Sequence, residues 1–556
     1  MSVGDDSARL VSFHLSTSAR ERGPGAPELK NRPSRKCGGK VKFPLSGQAT
    51  LNGMAPPECV KRLVSLLGAR ACLDRPEDLA LYEYDGGVDK HRPDVVVFPR
   101  NTADVAGIVK IAREFRVPLV GRGAGTGLSG GAIPREGGIV VAFARMNAIL
   151  EVDIENERAV VQPGVVNLDV TGAVESNGFF YAPDPSSQRA CTIGGNVSEN
   201  AGGPHTLAYG VTTNHVLGLE VVLPDGTVVE TGGKETDLPG YDLTGLLTGS
   251  EGTMVLVTRV TVRLMRKAEA VKTILAIYES NEDAGRTVAE ITARAITPVA
   301  VEMLDGVMLR MVEEATHAGY PLDAAAVLLI ELEGLEEVVE EQAERIHEAC
   351  SLCGAREFRV ARTAEERDLL WKGRKNAFGA VGRVSPTYYV QDGVVPRTKI
   401  APTLHFINET ARKYGLTISN IFHAGDGNMH PIILFDARKP GEMERARAAG
   451  EEILRYCVDA GGSITGEHGV GMEKNELMGT SPVGSATGSL VFFTGSSIMI
   501  MWKSAIRISR TLLSMAKDSA KSVAFPRIFL RTLKSPSKCI NFSIALSDNR
   551  YMRSCF

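Results

Sequence analysis

The chain has 556 residues, with 63 Lys and Arg against 66 Asp and Glu, so its formal net charge is −3. Its composition, 43% hydrophobic and 23% charged residues, is that of a globular protein and excludes collagen-like, repeat and mainly disordered chains. At roughly 150 residues per domain, the length predicts about three domains. The nine cysteines are scattered, which favours a reducing compartment without a disulfide framework.

The charge is distributed unevenly along the chain. Residues 1–53 have nine basic and four acidic side chains, and residues 479–556 have eleven basic and two acidic ones. The body between them, residues 54–478, therefore carries a net charge of −17. Because a nucleic-acid partner requires a basic face, the acidic body argues against nucleic-acid binding.

Residues 1–53 show no sustained helical or strand period and are predicted to be a basic, disordered extension. No apolar run long enough for a signal peptide follows the start. Because the segment contains Ser and Arg and few acidic residues, a mitochondrial transit peptide is one interpretation of it. A start codon assigned upstream of the true start at Met54 explains the segment better.

The first predicted elements of the body are a helical stretch at 56–80 and a short buried strand at 93–99. Asn101, with Asp104 three residues later, predicts the N-terminal cap of an amphipathic helix. This helix runs through Phe115, and its apolar stripe consists of Val105, Ile108, Val109, Ala112 and Phe115.

A strand predicted at Val117–Val120 leads into a glycine-rich loop, Gly121–Gly131, with the sequence Gly-Arg-Gly-Ala-Gly-Thr-Gly-Leu-Ser-Gly-Gly. Glycine accepts positive φ angles, so the backbone N–H groups of such a loop can converge on an anion such as a diphosphate. The dinucleotide fingerprint requires a helix directly afterwards, whereas a strand at 139–143 follows here. No Gly-Lys-Ser/Thr is present for a Walker A loop. A glycine-rich turn without a ligand is the alternative.

Two further clusters of small and polar residues lie downstream. One extends from Pro183–Ser187 through Gly194–Asn196 to Asn200–Gly203. The other, Gly249–Thr253, leads into a strand with Val260, Val262 and Leu264 on one face. Three such clusters between short strands suggest one extended cofactor bound by several loops.

Taken in this order, the motifs resemble those of the vanillyl-alcohol-oxidase, or PCMH-type, FAD flavoproteins, and within them the group of FAD-linked glycolate oxidase subunits and D-lactate dehydrogenases. The resemblance extends from about 55 to 478 and implies an α+β fold. It implies a PCMH-type FAD-binding domain of two α+β subdomains at 54–267 and a ferredoxin-like α+β substrate domain at 268–478.

The resemblance also implies which residues bind FAD. Relatives with covalent flavin carry a His in the first loop, and none stands here, so non-covalent FAD is predicted. The implied FAD-binding residues are Gly121, Arg122, Gly123, Gly125, Thr126, Gly127, Ser129, Gly130, Pro183, Asp184, Ser186, Ser187, Gly194, Gly195, Asn196, Gly249, Glu251 and Gly252.

A pair of histidines flanks a predicted turn in the second domain. Two apolar runs surround Asp426-Gly427, the strongest short hairpin signal, and a two-residue type I′ loop would place His423 directly opposite His430. Their Cβ atoms would then be about 5 Å apart, which predicts a bidentate metal site. Glu467 is suggested as a third ligand, and two imidazoles with one carboxylate suit zinc or manganese.

In the related 2-hydroxy-acid dehydrogenases, the positions of His423, His430 and Glu467 match metal ligands, and that of His468 matches the general base. The resemblance therefore implies that the metal polarises the substrate, the histidine removes the hydroxyl proton and a hydride goes to flavin N5. The alternative for Glu467 and His468 is a solvated turn.

Arg374 lies on a predicted helix, and an Arg at this point in relatives binds the substrate carboxylate, for which a bidentate guanidinium is suited. A surface ion pair is the alternative. Some dicarboxylate-specific relatives have a Thr and a Lys where Phe378 and Val390 stand here. These two apolar residues favour a small substrate over 2-hydroxyglutarate.

The sequence changes character after Met478. Residues 479–502 have no charge but are interrupted by Gly, Ser and Thr, which makes a membrane span a weak prediction. Relatives continue at this point into a short helix that returns to the flavin domain. We therefore expect 479–556 to be an aberrant basic tail that replaces the family's C-terminal end.

The resemblance implies an FAD-dependent dehydrogenase that oxidises glycolate to glyoxylate, with D-lactate as the alternative substrate. A non-catalytic FAD-binding subunit is the alternative of another class. The implied partners are a second FAD-type subunit and an iron–sulfur subunit, with a membrane contacted only through an electron acceptor. The expected location is the cytoplasm, at the inner face of the membrane, or mitochondria if 1–53 is a transit peptide.

Overall fold

The computed structural model describes residues 54–234 and 240–480, together with the backbone of a strand pair at 491–494 and 497–500. The extension predicted at 1–53 and, apart from that strand pair, the tail from 481 onwards lie outside the described residues. Among the residues that are described, no helix combines the length and apolarity needed to cross a bilayer.

The α-helices are α1 (Pro57–Leu67), α2 (Pro76–Leu79), α3 (Thr102–Phe115), α4 (Asn167–Val174), α5 (Ile193–Glu199), α6 (Thr206–Tyr209), α7 (Leu243–Leu247), α8 (Asn281–Ala293), α9 (Gly306–Thr316), α10 (Glu336–Leu352), α11 (Ala364–Lys375), α12 (Ala377–Val384), α13 (Ile400–Tyr414) and α14 (Glu442–Asp459). Short 3₁₀ helices occupy Ala69–Ala71, Ala80–Tyr82, Phe143–Arg145, Glu175–Asn177, Thr212–His215, Arg397–Lys399 and Asn475–Thr480.

The strands are β1 (Cys72–Leu73), β2 (Val95–Val97), β3 (Leu119–Arg122), β4 (Ile139–Ala142), β5 (Ile149–Asp153), β6 (Arg158–Val161), β7 (Phe179–Phe180), β8 (Val216–Val222), β9 (Val228–Gly232), β10 (Leu256–Arg263), β11 (Met265–Arg266), β12 (Ala270–Tyr278), β13 (Ala300–Asp305), β14 (Ala326–Gly334), β15 (Glu357–Val360), β16 (Thr387–Val390), β17 (Gly393–Val394), β18 (Thr417–His423), β19 (Asn428–Met429), β20 (Pro431–Phe435), β21 (Val491–Thr494) and β22 (Ser497–Ile500).

The N-terminal half contains two sheets. In the first, of order β1-β2-β4-β3, strands β2, β4 and β3 are parallel, and α1 and α3 pack against it. The second is an antiparallel sheet of order β5-β6-β10-β8-β9, covered by α4, α5 and α7. The predicted face of β10 is confirmed, because Val260 and Val262 are fully buried, as is Leu264 just beyond the strand.

Two local predictions in this half need correction. The stretch 56–80 is not one helix, because Gly68 (φ 86°) ends α1 and Pro76 begins α2. The strand predicted from Val117 begins at Leu119, because Pro118 has no N–H to donate to a neighbouring strand. The predicted cap is confirmed, since the Asn101 side chain accepts the N–H of Asp104 at 2.9 Å.

The C-terminal half is built on one antiparallel sheet between two helical layers, of order β15-β12-β14-β13-β18-β19-β17, with β20 joining β18 to β16. Alternate strand residues pack on opposite faces of the sheet. On β12, Ile274 and Ala276 pack with the layer of α8, α10, α13 and α14. Leu275 and Ile277 pack with the layer of α9, α11 and α12. The structure is therefore α+β, as predicted.

A histidine connects the two halves. His205, which directly precedes α6, places Nδ1 2.8 Å from Asp184 Oδ2 and Nε2 3.1 Å from Glu331 Oε1 on β14. Glu331 also accepts the indole N–H of Trp371 at 2.6 Å and the hydroxyl of Thr273. Burial lowers the pKa of His205, but the two carboxylates outweigh it and raise that pKa to about 10.

This raised pKa predicts a pH-dependent stability. The unfolded pKa is about 6.5, so the contribution of His205 is complete below that pH and is lost as the pH rises through about 10. Replacement of His205 by Gln should abolish that alkaline loss. The free energy of unfolding of both proteins, measured by denaturant between neutral pH and about pH 10, checks this.

His215 supplies an internal control for that measurement. Burial lowers the pKa of this histidine, so its contribution is present above the unfolded pKa and is lost as the pH falls. A His215→Gln variant should therefore keep the alkaline loss of the wild-type protein. Equal alkaline slopes in the His205→Gln variant and the wild type would contradict the role of His205.

Candidate active site

A cavity of about 550 Å³ lies between the two halves. The N-terminal half contributes the glycine loop after β3, the loop before α5, α5 itself and the start of β10 to its lining. The C-terminal half contributes α11, α12, β16, β18 and the segment around Glu467. Of the predicted residues, it is lined by Gly121, Arg122, Gly123, Gly125, Thr126, Gly127, Ser186, Ser187, Gly194, Gly195, Asn196, Glu251, Gly252, Arg374, His423, His430, Glu467 and His468.

The remaining predicted residues do not line the cavity and make other contacts. Ser129 Oγ donates to the carbonyl of His468 at 2.8 Å, and the carboxylate of Asp184 binds His205. The backbone N–H of Gly249 donates to Val197 at 2.7 Å. The other two are Pro183, whose carbonyl accepts from Asn167, and Gly130, which packs against Met472.

The glycine loop fits a bound anion. Gly125 has φ 71°, and a Cβ on Gly123 would lie 2.3 Å from Thr192 Oγ1, so the loop requires glycine to approach α5 closely. Arg122 is buried, and its Nη1 has no partner among the described residues. An unpaired guanidinium nitrogen beside a glycine-rich wall matches the needs of a phosphate group.

The turn between the two histidines differs from the predicted one. His423 pairs with Asn428, and residues 424–427 form the connection, so the two-residue type I′ loop is wrong. The buried Ala424 and a contact of Arg397 Nε with the carbonyl of Gly425 hold the longer turn inside the protein. His430 follows β19, and the predicted register is therefore wrong, although the two histidines do meet.

The two imidazoles and Glu467 converge on one point. His423 Nε2 and His430 Nε2 each lie 3.1 Å from Glu467 Oε1, and the ring centroids are 5.1 Å apart. The Nδ1 atom of each ring contacts an oxygen on the side away from Glu467. His423 Nδ1 lies 2.7 Å from Glu302 Oε1, and His430 Nδ1 lies 3.2 Å from the carbonyl oxygen of Gln391. These outer contacts aim both Nε2 atoms at Glu467, the arrangement typical of histidine metal ligands.

The charges of the cluster favour a cation at this point. Burial lowers the pKa of His423, but Glu302 and Glu467 outweigh it and hold that pKa well above its usual value. Burial raises the pKa of Glu467, but His423 and His430 hold it well below its usual value. The carboxylates therefore stay ionised, and positive charge between them is stabilised.

His468 lies beside the cluster with different electrostatics. Its ring stacks on that of His430, with centroids 4.8 Å apart and planes at 8°. Burial lowers the pKa of His468 to about 4, because the neighbouring charges only partly offset the loss of hydration. The imidazole is therefore neutral at neutral pH and can accept a proton.

Arg374 connects the cluster to the helical layer. It is 3% exposed, and its Nε donates to Glu302 Oε2 at 2.6 Å. Glu302 thus lies between Arg374 and His423, and the predicted alternative of a surface ion pair is excluded by burial. The neighbouring wall contains Lys375, Phe378 and Tyr388, and the two aromatic rings stack with centroids 6.1 Å apart.

Sequence reasoning missed two buried carboxylates, Glu302 and Asp392. Glu302 stands in the apolar strand β13, between Val301 and Met303, and is fully buried. Asp392 follows the apolar strand β16 and is also fully buried. The signal in both cases is an acidic residue inside an apolar strand context, which requires a specific partner.

The fold of the chain is similar to those of two solved structures. p-Cresol methylhydroxylase with substrate bound has a TM-score of 0.64 at 20% identity, covering 75% of this chain and 89% of that one. A 4-ethylphenol oxidase from Gulosibacter chungangensis has a TM-score of 0.63 at 18% identity, covering 76% and 90%. Residues 93–232 match the FAD binding domain family, and 267–484 match the C-terminal domain of FAD linked oxidases.

Sequence comparison identifies relatives of this chain with named activities. The glycolate oxidase subunit GlcD of Escherichia coli (strain K12) is 48% identical over 407 residues, 73% of this chain and 82% of the relative. GlcD of Bacillus subtilis (strain 168) is 45% identical over 423 residues, 76% and 90%. A D-lactate dehydrogenase of Archaeoglobus fulgidus is 36% identical over 385 residues, 68% and 83%. The chain belongs to the FAD-linked oxidase family and is an FAD-dependent oxidoreductase.

The geometry of the glycine loop predicts how FAD retention responds to one methyl group. Gly123→Ala would place Cβ against Thr192 Oγ1 and push the loop towards the cavity, so the purified protein should retain less FAD. Flavin absorbance relative to protein absorbance measures this. Gly172→Ala, on the exposed side of α4 with open space around its Cβ, should leave FAD content unchanged and stabilise the helix by about 1 kcal/mol.

Proposed function

We propose that this enzyme oxidises glycolate to glyoxylate at the cavity between its halves. The observation that carries the proposal is the convergence of His423, His430, Glu467 and His468 on the wall of the FAD cavity, with Arg374 beside them. A non-catalytic FAD-binding subunit would have no use for this set. The similarity to two glycolate oxidase subunits supports the choice of substrate.

Each side chain has a task in this reaction. The guanidinium of Arg374 binds the substrate carboxylate, and a ring nitrogen of the neutral His468 accepts the proton of the α-hydroxyl. Arg374 is 3% exposed and the side chain of His468 is 15% exposed, and this burial strengthens both interactions. FAD, when bound without a covalent bond along the loops at 121–131, 186–196 and 251–252, supplies the acceptor for the hydride from the α-carbon.

His423, His430 and Glu467 would hold a divalent cation, zinc or manganese. Two imidazoles and a carboxylate suit both ions, and the orientation of both Nε2 atoms towards Glu467 supports the assignment. When bound, the cation supplies a Lewis acid for the substrate oxygens.

D-Lactate is the second candidate substrate. Phe378, Tyr388 and Ile421 give the cavity an apolar wall in the C-terminal half, which would accept the methyl group of lactate as well as the hydrogen of glycolate. The similarity to a D-lactate dehydrogenase supports this candidate. Phe378 and Ile421 in this wall have no side-chain donor for the second carboxylate of 2-hydroxyglutarate.

The proposal extends to partners and location. Electrons leave through a second FAD-type subunit and an iron–sulfur subunit, in keeping with the word subunit in the names of two relatives. The enzyme works in the cytoplasm at the inner face of the membrane, which it contacts only through its electron acceptor. No nucleic acid takes part.

The substrate assignment is tested by anaerobic reduction of the full-length, FAD-loaded protein. Glycolate should bleach the visible absorbance of the oxidised flavin, and D-lactate should do so more slowly. His468→Asn should slow bleaching by about 10²–10⁴-fold, the usual contribution of a general base, without loss of flavin. His405→Asn, at an exposed position on α13, is the control with wild-type rates. No bleaching of the wild-type flavin by either acid would refute the enzyme assignment.

The metal assignment is tested by removal and return of the ion. Dialysis against a chelator should abolish flavin reduction by glycolate, and added Zn²⁺ or Mn²⁺ should restore it. Glu467→Gln, which removes the negative charge but keeps the shape, should prevent restoration while FAD remains bound. Full activity in protein shown by elemental analysis to be metal-free would contradict the assignment.

A further inference from the structure

A buried ion pair supports the segment that carries Glu467 and His468. Asp392, between β16 and β17, and Lys474 are both fully buried, and Lys474 Nζ lies 3.2 Å from Asp392 Oδ2. Neither residue lines the cavity. A buried ion pair of this kind seldom adds net stability, so its presence beside the site calls for another explanation.

The contacts of Asp392 supply that explanation. Its carboxylate accepts the backbone N–H groups of three consecutive residues, Gly466 at 3.0 Å, Glu467 at 3.3 Å and His468 at 3.0 Å. It also accepts the hydroxyl of Thr465. Three successive N–H groups directed at one carboxylate fix the backbone of the segment, and thereby the directions in which the side chains of Glu467 and His468 leave it.

The residue before Asp392 orients the other part of the cluster. The carbonyl of Gln391 lies 3.2 Å from His430 Nδ1, so two adjacent residues hold His430 and the segment of Glu467 in one frame. Lys474 completes the frame, since its Nζ also donates to the carbonyl of Gly469 at 3.1 Å. The segment has little room to shift, because a Cβ at Gly466 would meet the side chain of Asn428 at 2.6 Å.

We propose that Asp392 is the positioning residue that sets the metal affinity of the site, by holding the backbone of 466–468, and that Lys474 balances the buried charge of its carboxylate. This inference rests on the proposed metal site. It assigns separate tasks to the two partners of the pair: the backbone contacts belong to Asp392, and Lys474 balances its charge.

The test compares three variants of the full-length, FAD-loaded protein. Asp392→Asn turns an amide N–H₂ towards backbone N–H groups, which cannot accept its hydrogen bonds. The affinity for Mn²⁺ should therefore fall about 10–100-fold. The electron paramagnetic resonance signal of the free ion measures this affinity. Lys474→Met keeps the backbone contacts and should keep most of the affinity. The double variant removes the unpaired buried charge, so it should regain stability but not affinity.

Asp305→Asn is the matched control. Asp305 is another buried carboxylate of the same half, and it accepts the backbone N–H groups of Met308 and Asn420 at 2.8 Å each. This variant should lose stability and keep its affinity for Mn²⁺, which shows that the two quantities are separable. FAD content, measured by flavin absorbance, should be unchanged in all four variants.

The outcomes separate this inference from the proposed function. An unchanged affinity for Mn²⁺ in Asp392→Asn, or equal losses in Asp392→Asn, Lys474→Met and Asp305→Asn, overturns the positioning role alone. A wild-type protein that binds neither Mn²⁺ nor Zn²⁺ overturns the metal site and this inference together. Flavin reduction by glycolate, measured on the same sample, then shows independently whether the enzyme assignment stands.

Discussion

The site depends on one buried charge, that of Glu302. A carboxylate without contact to water is costly unless it is fully paired, and Glu302 is paired on both sides, with Arg374 at 2.6 Å and His423 at 2.7 Å. The pairing fixes the distance between the residue proposed to bind the substrate carboxylate and the first proposed metal ligand. Because β13 and β18 are neighbours in the sheet, with Glu302 opposite His423, the backbone register itself sets this geometry.

A second buried carboxylate supports the other side of the cluster. Asp392 is fully buried and paired, and it too holds a part of the site from behind, through backbone N–H groups instead of side chains. The proposed metal ligands are therefore held from behind by buried charged groups on both sides of the cluster. By contrast, the opposite side of the cavity is built from glycine loops, which lie close to the start of α5.

The sequence predicted the elements that depend on local physics. The cap at Asn101 is confirmed because a side chain three residues from its acceptor needs no information from elsewhere in the fold. The type I′ loop at Asp426-Gly427 was wrong, because the hairpin signal is local while the turn is buried and bound by Arg397 from another segment. His423 and His430 nevertheless lie close together, with ring centroids 5.1 Å apart, although the predicted register was wrong.

What the sequence could not predict is which contacts are shared between the halves. Glu251 was expected among the FAD-binding residues, and it lines the cavity, but its carboxylate accepts the backbone N–H groups of Val470 and Gly471 at 2.8 Å each. No local pattern links residues more than 200 positions apart, so only the tertiary structure shows this contact.

The shared contacts have a consequence for how the site is assembled. Ser129, in the glycine loop, accepts the N–H groups of Met472 and Glu473 and donates to the carbonyl of His468. The loop that would contact the pyrophosphate of FAD is thus bonded to the segment that carries the proposed base. These hydrogen bonds would be costly to break, because Ser129 is 1% exposed and water cannot replace its partners without cost. The glycine loop therefore has two roles in the structure, since it lines the cavity where FAD would bind and also holds the backbone at His468.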